Sequence, residues 1–97
     1  MLTGAQKNAS IVEKNRVVLQ CPARGTPLPK IRWYKNGNPL SGNEIGERVM
    51  ADGSLQLEHA HSNNTGRYTC IAENVAGNVS HTIELIVYGW YSITTKS

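Results

Sequence analysis

The chain has 97 residues, of which 39% are hydrophobic and only 6% aromatic, and it contains no phenylalanine. That length holds one core, which excludes an active-site cleft between two domains. The net charge of +3 and the pI near 9.1 come from ten basic residues, no two adjacent, so nucleic acid is not the expected partner. No apolar run is long enough to cross a bilayer and no signal-peptide pattern is present, so the chain reads as a fragment or mature module without membrane insertion.

Residues 1 to 15 are polar and Asn-rich, with Ile11 and Val12 the only adjacent apolar pair after Met1-Leu2, and read as a short, interrupted first strand at the edge of a sheet. Apolar residues then recur at every second position in Val17, Leu19, Cys21 and Ala23, the period of a strand with one buried face. This second strand is expected over about 16 to 23, ending or bulging just after Cys21 because Pro22 donates nothing to a ladder. Gly25-Thr26-Pro27-Leu28-Pro29 is a stiff extended connection between sheets. A third strand follows over about 30 to 35, with Ile31 and Trp33 inward, and Asn36-Gly37 signals a tight turn.

Residues 38 to 44 are turn-rich, so no wide ribbon is expected there. A short strand is predicted over 45 to 50, a turn at Ala51-Asp52-Gly53, and a strand over 54 to 58 with Leu55 and Leu57 inward. After the loop His59 to Thr65, the alternation of Tyr68, Cys70 and Ala72 predicts a strand over 66 to 73. Its hairpin partner covers 78 to 87, joined through Asn74-Val75-Ala76-Gly77. Counting symmetrically outward from Val75-Ala76 pairs Glu73 with Asn78, Ile71 with Ser80, Thr69 with Thr82 and Arg67 with Glu84. All of these face outward, with an ion pair expected in the last.

The spacing Cys21, Trp33, Cys70, with Tyr68 two residues before the second cysteine, resembles the immunoglobulin domain. Within that family the chain is similar to the I-set type found in hemicentin, contactins, ADAMTS-like and papilin matrix proteins and in muscle titin. The resemblance is carried by Gly25-Thr26-Pro27-Leu28-Pro29, Trp33-Tyr34-Lys35-Asn36-Gly37, Asp52-Gly53-Ser54-Leu55, Gly66-Arg67-Tyr68-Thr69-Cys70 and Ala72-Glu73-Asn74-Val75-Ala76-Gly77. It implies an all-β, two-sheet Greek-key sandwich over 1-87, pinned by one Cys21–Cys70 disulfide packed on Trp33, with 88-97 as a tail or linker stub. A bridge closing a loop of that size is worth roughly 4 kcal/mol in the chain-entropy model. Muscle members of the family keep buried thiols reduced, so the cysteines alone do not decide the compartment. The resemblance also implies a tyrosine corner, the Tyr68 hydroxyl returning to backbone near Asn64. Where the family commonly has Asp, this chain has Asn64, which replaces a charged pair to a base such as Arg48 by a neutral hydrogen bond.

Candidate chemistry is sparse. His59 and His61 flank Ala60, the inward residue, and face water, while a closed zinc site needs four donors, so no metal is expected. His81 has inward parity opposite Cys70 unless a bulge near Gly77 turns it out. There is no Gly-x-Ser-x-Gly elbow, no phosphate-cradling glycine loop and no desolvated carboxylate pair, so neither catalysis nor a cofactor is expected. Asn8, Asn63 and Asn78 each open an Asn-x-Ser/Thr sequon at a predicted edge, loop or outward position. Arg24, Lys30, Lys14 and Arg16 are the basic residues that could meet a sulfated glycan, against the simpler reading of a solvated surface.

Because Trp33 and Cys70 face inward, Arg32, Tyr34, Thr69 and Ile71 must face out, joined by Ser80, Thr82 and Glu84. These are the candidate residues for a protein partner or homophilic contact, made on this sheet rather than on the sheet of the first, second, fourth and fifth strands. The expectation is a non-catalytic recognition or spacer module of an extracellular multidomain adhesion or matrix protein, in contact with neighbouring domains of the same chain. An intracellular load-bearing module of the titin kind is the alternative.

Overall fold

The computed structural model describes residues 7–21, 23, 25–40 and 46–89. In chain order the strands are β1 (Asn8–Val12), β2 (Val17–Leu19), β3 (Lys30–Lys35), β4 (Asn38–Pro39), β5 (Glu47–Val49), β6 (Leu55–Leu57), β7 (Gly66–Asn74) and β8 (Gly77–Tyr88). A 3₁₀ turn at Ser62–Asn64 precedes β7. They form two sheets, one in the order β1-β8-β7-β3-β4 and the other β2-β6-β5. The fold is the two-layer β-sandwich that the sequence pattern calls for.

Alternation decides which side chains meet between the layers. Leu19, Leu55 and Leu57 from the three-stranded sheet pack against Trp33, Tyr68, Cys70, Ile83 and Leu85 from the five-stranded one, all buried, with Ile31 and Val49 at the margin. Burying each such side chain is worth about 1.5–3 kcal/mol. Cys21 and Cys70 are bonded across the layers, their Cα atoms 6.2 Å apart, and the described residues contain no free thiol. Cys70 lies opposite Trp33 on β3 and opposite His81 on β8, so the bridge, the indole and the imidazole share one row. The hairpin runs without a bulge from Asn74–Gly77 to Gly66–Leu85, and His81 keeps its inward parity, half-buried at the sheet.

Two buried aromatics carry polar atoms that need partners. The Trp33 indole N–H donates to Gly53 O at 2.7 Å, which fastens the β5–β6 turn onto the core. Gly53 has φ +92, and a side chain there would meet Ile31 Cγ1 at 2.8 Å, so only glycine fits. The same turn is closed by the Asp52 carboxylate, which accepts from Ser54 N at 2.9 Å and is thereby held below the usual carboxylate pKa. The second aromatic, Tyr68, donates its hydroxyl to Asn64 O at 2.7 Å. Asn64 Oδ1 in turn accepts from His61 N at 2.7 Å, making the neutral hydrogen bond local to the turn. Lys35, opposite Tyr68 on β3, lies over the phenol ring and donates to Asn63 O, closing the loop from the other side.

Three expectations need correction or trimming. The first strand does not lie with β2, β6 and β5: β1 runs parallel to β8 on the five-stranded sheet, Asn8 beside Glu84 and Val12 beside Tyr88. Ala9 and Ile11 thus pack on the core from the β8 side, and Glu84 N donates to Lys7 O to start the ladder. The second strand is shorter than expected; its ladder ends at Leu19, and Ala23 N folds back to Cys21 O at 2.7 Å. Finally, β8 reaches Tyr88, one residue into the segment assigned to the tail, because Val12 is there to pair with it. Arg24, the 41–45 stretch including Ile45, and residues 90–97 of the tail lie outside the described residues.

The turns follow their sequence signals. Asn36 and Gly37 have φ 50 and 87, the pair of positive values that a two-residue hairpin needs. The Thr26–Pro27 peptide is cis. Asn74 Nδ2 donates to Pro27 O at 2.8 Å, holding the β7–β8 turn against the connection between sheets.

Replacing both Cys21 and Cys70 by Ala is expected to lower unfolding free energy by about 2–5 kcal/mol, read from a urea melt. An unchanged midpoint would refute a stabilising bridge. For Tyr68, burial chiefly raises its pKa from 10.0 to about 12, helped by the negative charge of Glu47 and opposed by the bond to Asn64. A raised folded-state pKa means that this contribution to stability is complete below pH 10 and is lost as pH rises toward about 12. Phenolate absorbance should therefore show an ionisation near pH 12, and Tyr68→Phe should remove that step while costing about 1–3 kcal/mol of stability at neutral pH.

Candidate functional site

The outward side of the five-stranded sheet carries most of the residues singled out from the sequence, arranged in rows across β3, β7 and β8. Lys30, Glu73 and Asn78 form the first row; Arg32, Ile71 and Ser80 the second; Tyr34, Thr69 and Thr82 the third. A fourth row holds Arg67 and Glu84, with Asn8 beside Glu84 on β1. This arrangement follows from the inward placement of Trp33, Tyr68, Cys70 and Ala72, since a strand's neighbours must point the other way.

The face is polar at its floor and charged at two ends. Thr69 and Thr82 are hydrogen-bonded through their hydroxyls at 3.0 Å. Arg67 reaches Glu84 at 3.1 Å, and Arg32 lies 3.9 Å from Glu73, all four side chains more than half exposed. Such pairs are worth at most about 1 kcal/mol each and serve orientation more than stability. Tyr34 and Ile71 are half-buried rather than fully exposed: Tyr34 is flanked by Pro39 on β4 and Thr69 on β7, and Ile71 by Arg32 and Ser80. The sheet therefore presents a low central band of Tyr34, Ile71 and threonines between two ion pairs.

Sequence reasoning missed the lower end of this face. Gly66 leaves a shallow hollow bordered by Asn36, Gly37, Arg67 and Ile86. The Asn36 amide spans it, its Oδ1 accepting from Arg67 N at 3.0 Å, and Ile86 stands 44% exposed beside it. Ile86 shares the outward parity of Glu84 two residues before it, but its exposure depends on what β1 leaves uncovered, which only the tertiary arrangement shows.

The three sequon asparagines, Asn8, Asn63 and Asn78, are all exposed. Asn8 and Asn78 lie on the β1–β8 half of the outer face, and Asn63 lies in the 3₁₀ turn at the end of the sandwich where the Tyr68 hydroxyl docks. Thr65, the hydroxyl residue of the middle sequon, accepts from Val87 N at 2.9 Å. His59 and His61 are exposed, and no cluster of three or more metal-ligating side chains occurs among the described residues. Lys14 and Arg16 border the turn between β1 and β2 while Lys30 opens β3, so these bases do not share one surface strand.

Comparison with known proteins agrees with this architecture. A family model described as the immunoglobulin I-set domain matches residues 1–87. Human hemicentin-1 is 41% identical over 88 residues, covering 90% of this chain and 2% of that protein. Drosophila melanogaster cell adhesion molecule Dscam2 is 39% identical over 80 residues, 75% of this chain and 4% of that protein. The chain thus spans a few per cent of the length of these relatives. Among solved structures, Sidekick-1 immunoglobulin domains 1–4 superpose with TM-score 0.85 at 26% identity over 92% of this chain and 24% of theirs. The titin M3 domain superposes with TM-score 0.82 at 28% identity over 91% of this chain and 95% of its own. Two cysteines bonded across facing sheets, the buried tryptophan and tyrosine beside them, and these likenesses together mean that the chain belongs to the immunoglobulin I-set family.

Proposed function

We propose that the chain is a non-catalytic protein-recognition or spacer module of an extracellular multidomain adhesion or matrix protein. The observation that carries this reading is the outer face of the five-stranded sheet, with Tyr34 and Ile71 set among hydroxyls and bracketed by the Arg32–Glu73 and Arg67–Glu84 pairs. Tyrosine and arginine over an apolar patch are frequent interface anchors, and rim charges set register. Relatives of the adhesion type, one named a cell adhesion molecule, support the setting. The bonded cysteines and the exposure of Asn8, Asn63 and Asn78 suit an oxidising compartment where glycans are added.

A second reading, an intracellular load-bearing module, has the likeness to the titin M3 domain in its favour. A sulfated glycan is a third class of ligand, and the separation of Lys14 and Arg16, in the β1–β2 connection, from Lys30 on β3 weighs against it.

Mass spectrometry of the protein secreted from animal cells separates the first two readings. The expected result is glycan on at least one of Asn8, Asn63 and Asn78 with no free thiol; bare asparagines with two free thiols would favour the intracellular reading. Once a protein partner is identified, Tyr34→Ala with Ile71→Ser should weaken its affinity at least about tenfold while the domain stays folded. Unchanged affinity in a folded variant would move the contact to the loop after β2 and the β7–β8 turn.

A further inference from the structure

The charge pattern of the outer face is self-complementary. Along β7 the outward residues run Glu73, Ile71, Thr69, Arg67, and on β3 Arg32 stands beside Ile71 and Tyr34 beside Thr69. Consider a two-fold axis lying in the plane of the face, across the strands, midway between Ile71 and Thr69. It exchanges the first row with the fourth and the second with the third, and keeps each strand over its own copy. A second chain brought down on that axis sets its Arg67 against Glu73, its Tyr34 against Arg32 and its Thr69 against Ile71, and the same contacts recur in reverse.

Each opposition is favourable. Glu73 meets a guanidinium, Arg32 lies over a phenol ring, and Ile71 meets a threonine methyl. Within one copy Arg32 is 3.9 Å from Glu73 and Arg67 is 3.1 Å from Glu84. The contact therefore lines up Arg32, Glu73, Arg67 of the second copy and Glu84 of the second copy in alternating sign. A two-fold running along β7 instead would oppose Glu73 to Glu73 and Arg67 to Arg67, like charges that repel. Twisted sheets pack face to face with their strands about 30° apart, which a small tilt of the cross-strand axis supplies.

We propose that two copies of this chain pair through the outer face on the cross-strand two-fold, forming an isologous dimer. The proposal rests on the recognition reading above and names the partner as a second copy. Pairing through this face is expected to be weak and exchanging rather than permanent, since its centre is the half-buried Tyr34 and Ile71 and its ends are exposed ion pairs. Asn78 stands in the first row of β8, where it opposes Glu84 of the second copy, so a glycan on Asn78 and self-pairing exclude each other.

The test uses the unglycosylated 97-residue chain with its disulfide formed, in sedimentation velocity from about 1 μM to about 1 mM. The wild type is expected to shift toward dimer with concentration. Glu73→Arg alone and Arg67→Glu alone should each remain monomeric, since each opposes like charges. An equimolar mixture of the two variants should dimerise again, because every Arg of one then faces a Glu of the other. The side chains of Glu73 and Arg67 are 51% and 65% exposed, so both variants keep the fold, and their unfolding midpoints verify it. A wild type monomeric at about 1 mM, single variants that pair like wild type, or a mixture that stays monomeric would each overturn the proposal. The recognition reading stands or falls separately, on the glycan and thiol readout of the secreted protein.

Discussion

The bond between Cys21 and Cys70 is the constraint on which the rest of the structure depends, because it fixes the parity of β7 as well as the distance between layers. Cys21 follows β2 and Cys70 is central in β7, 49 residues apart in sequence. Once Cys70 points inward, the ladder carries that choice sideways to Trp33 on β3 and His81 on β8. A slip of one residue in either ladder would turn an entire set of side chains over. The bridge thus decides, at one covalent point, which side chains are core and which form the outer face.

Around that point the buried aromatics act as ties rather than as fillers. Trp33 reaches across to Gly53 O on the three-stranded side, and Tyr68 reaches to Asn64 O below its own strand. Each bond satisfies a buried donor that would otherwise cost about 1–3 kcal/mol, and each fastens a turn to the core. The turn at Gly53 accepts this because it has no side chain to collide with Ile31. A loop of backbone is in this way positioned by a polar atom at the rim of an otherwise apolar interior.

How much of this the residues disclose in advance depends on the range of the interaction. The β7–β8 register was readable from Val75-Ala76 outward because a short turn leaves almost no freedom in where the strands meet, and Arg67 does pair with Glu84. The inward set followed from period two. By contrast, Ala9 and Ile11 show that one side of β1 is half-buried but not which sheet it joins, since a parallel partnership with β8 leaves no turn between the strands to mark it. The acceptor for the Trp33 indole was hidden for a similar reason: a backbone carbonyl 20 residues away carries no side-chain signal. Of the outer face, membership was legible from parity, whereas the half-burial of Tyr34 and the hollow at Gly66 arise from neighbours brought in by tertiary packing.

The edges of the five-stranded sheet bear on how such a module can recognise anything. Open strand edges invite pairing with other chains, and proteins blunt them. At one edge β1 covers β8 along its outer half, from Asn8–Glu84 to Val12–Tyr88. At the other, β4 is only two residues long and ends in Pro39, which has no N–H to offer a further strand. Lateral addition of a strand is therefore disfavoured at the β4 edge, while at the other edge β1 takes up only the later half of β8. Main-chain hydrogen bonds of an added strand would hold many sequences alike, whereas a face of rows reads a partner through charge and shape. With its β4 edge blunted, the sheet leaves its side-chain face as the surface on which specificity can be written, and the opposite ordering of charges along β7 gives that face a direction.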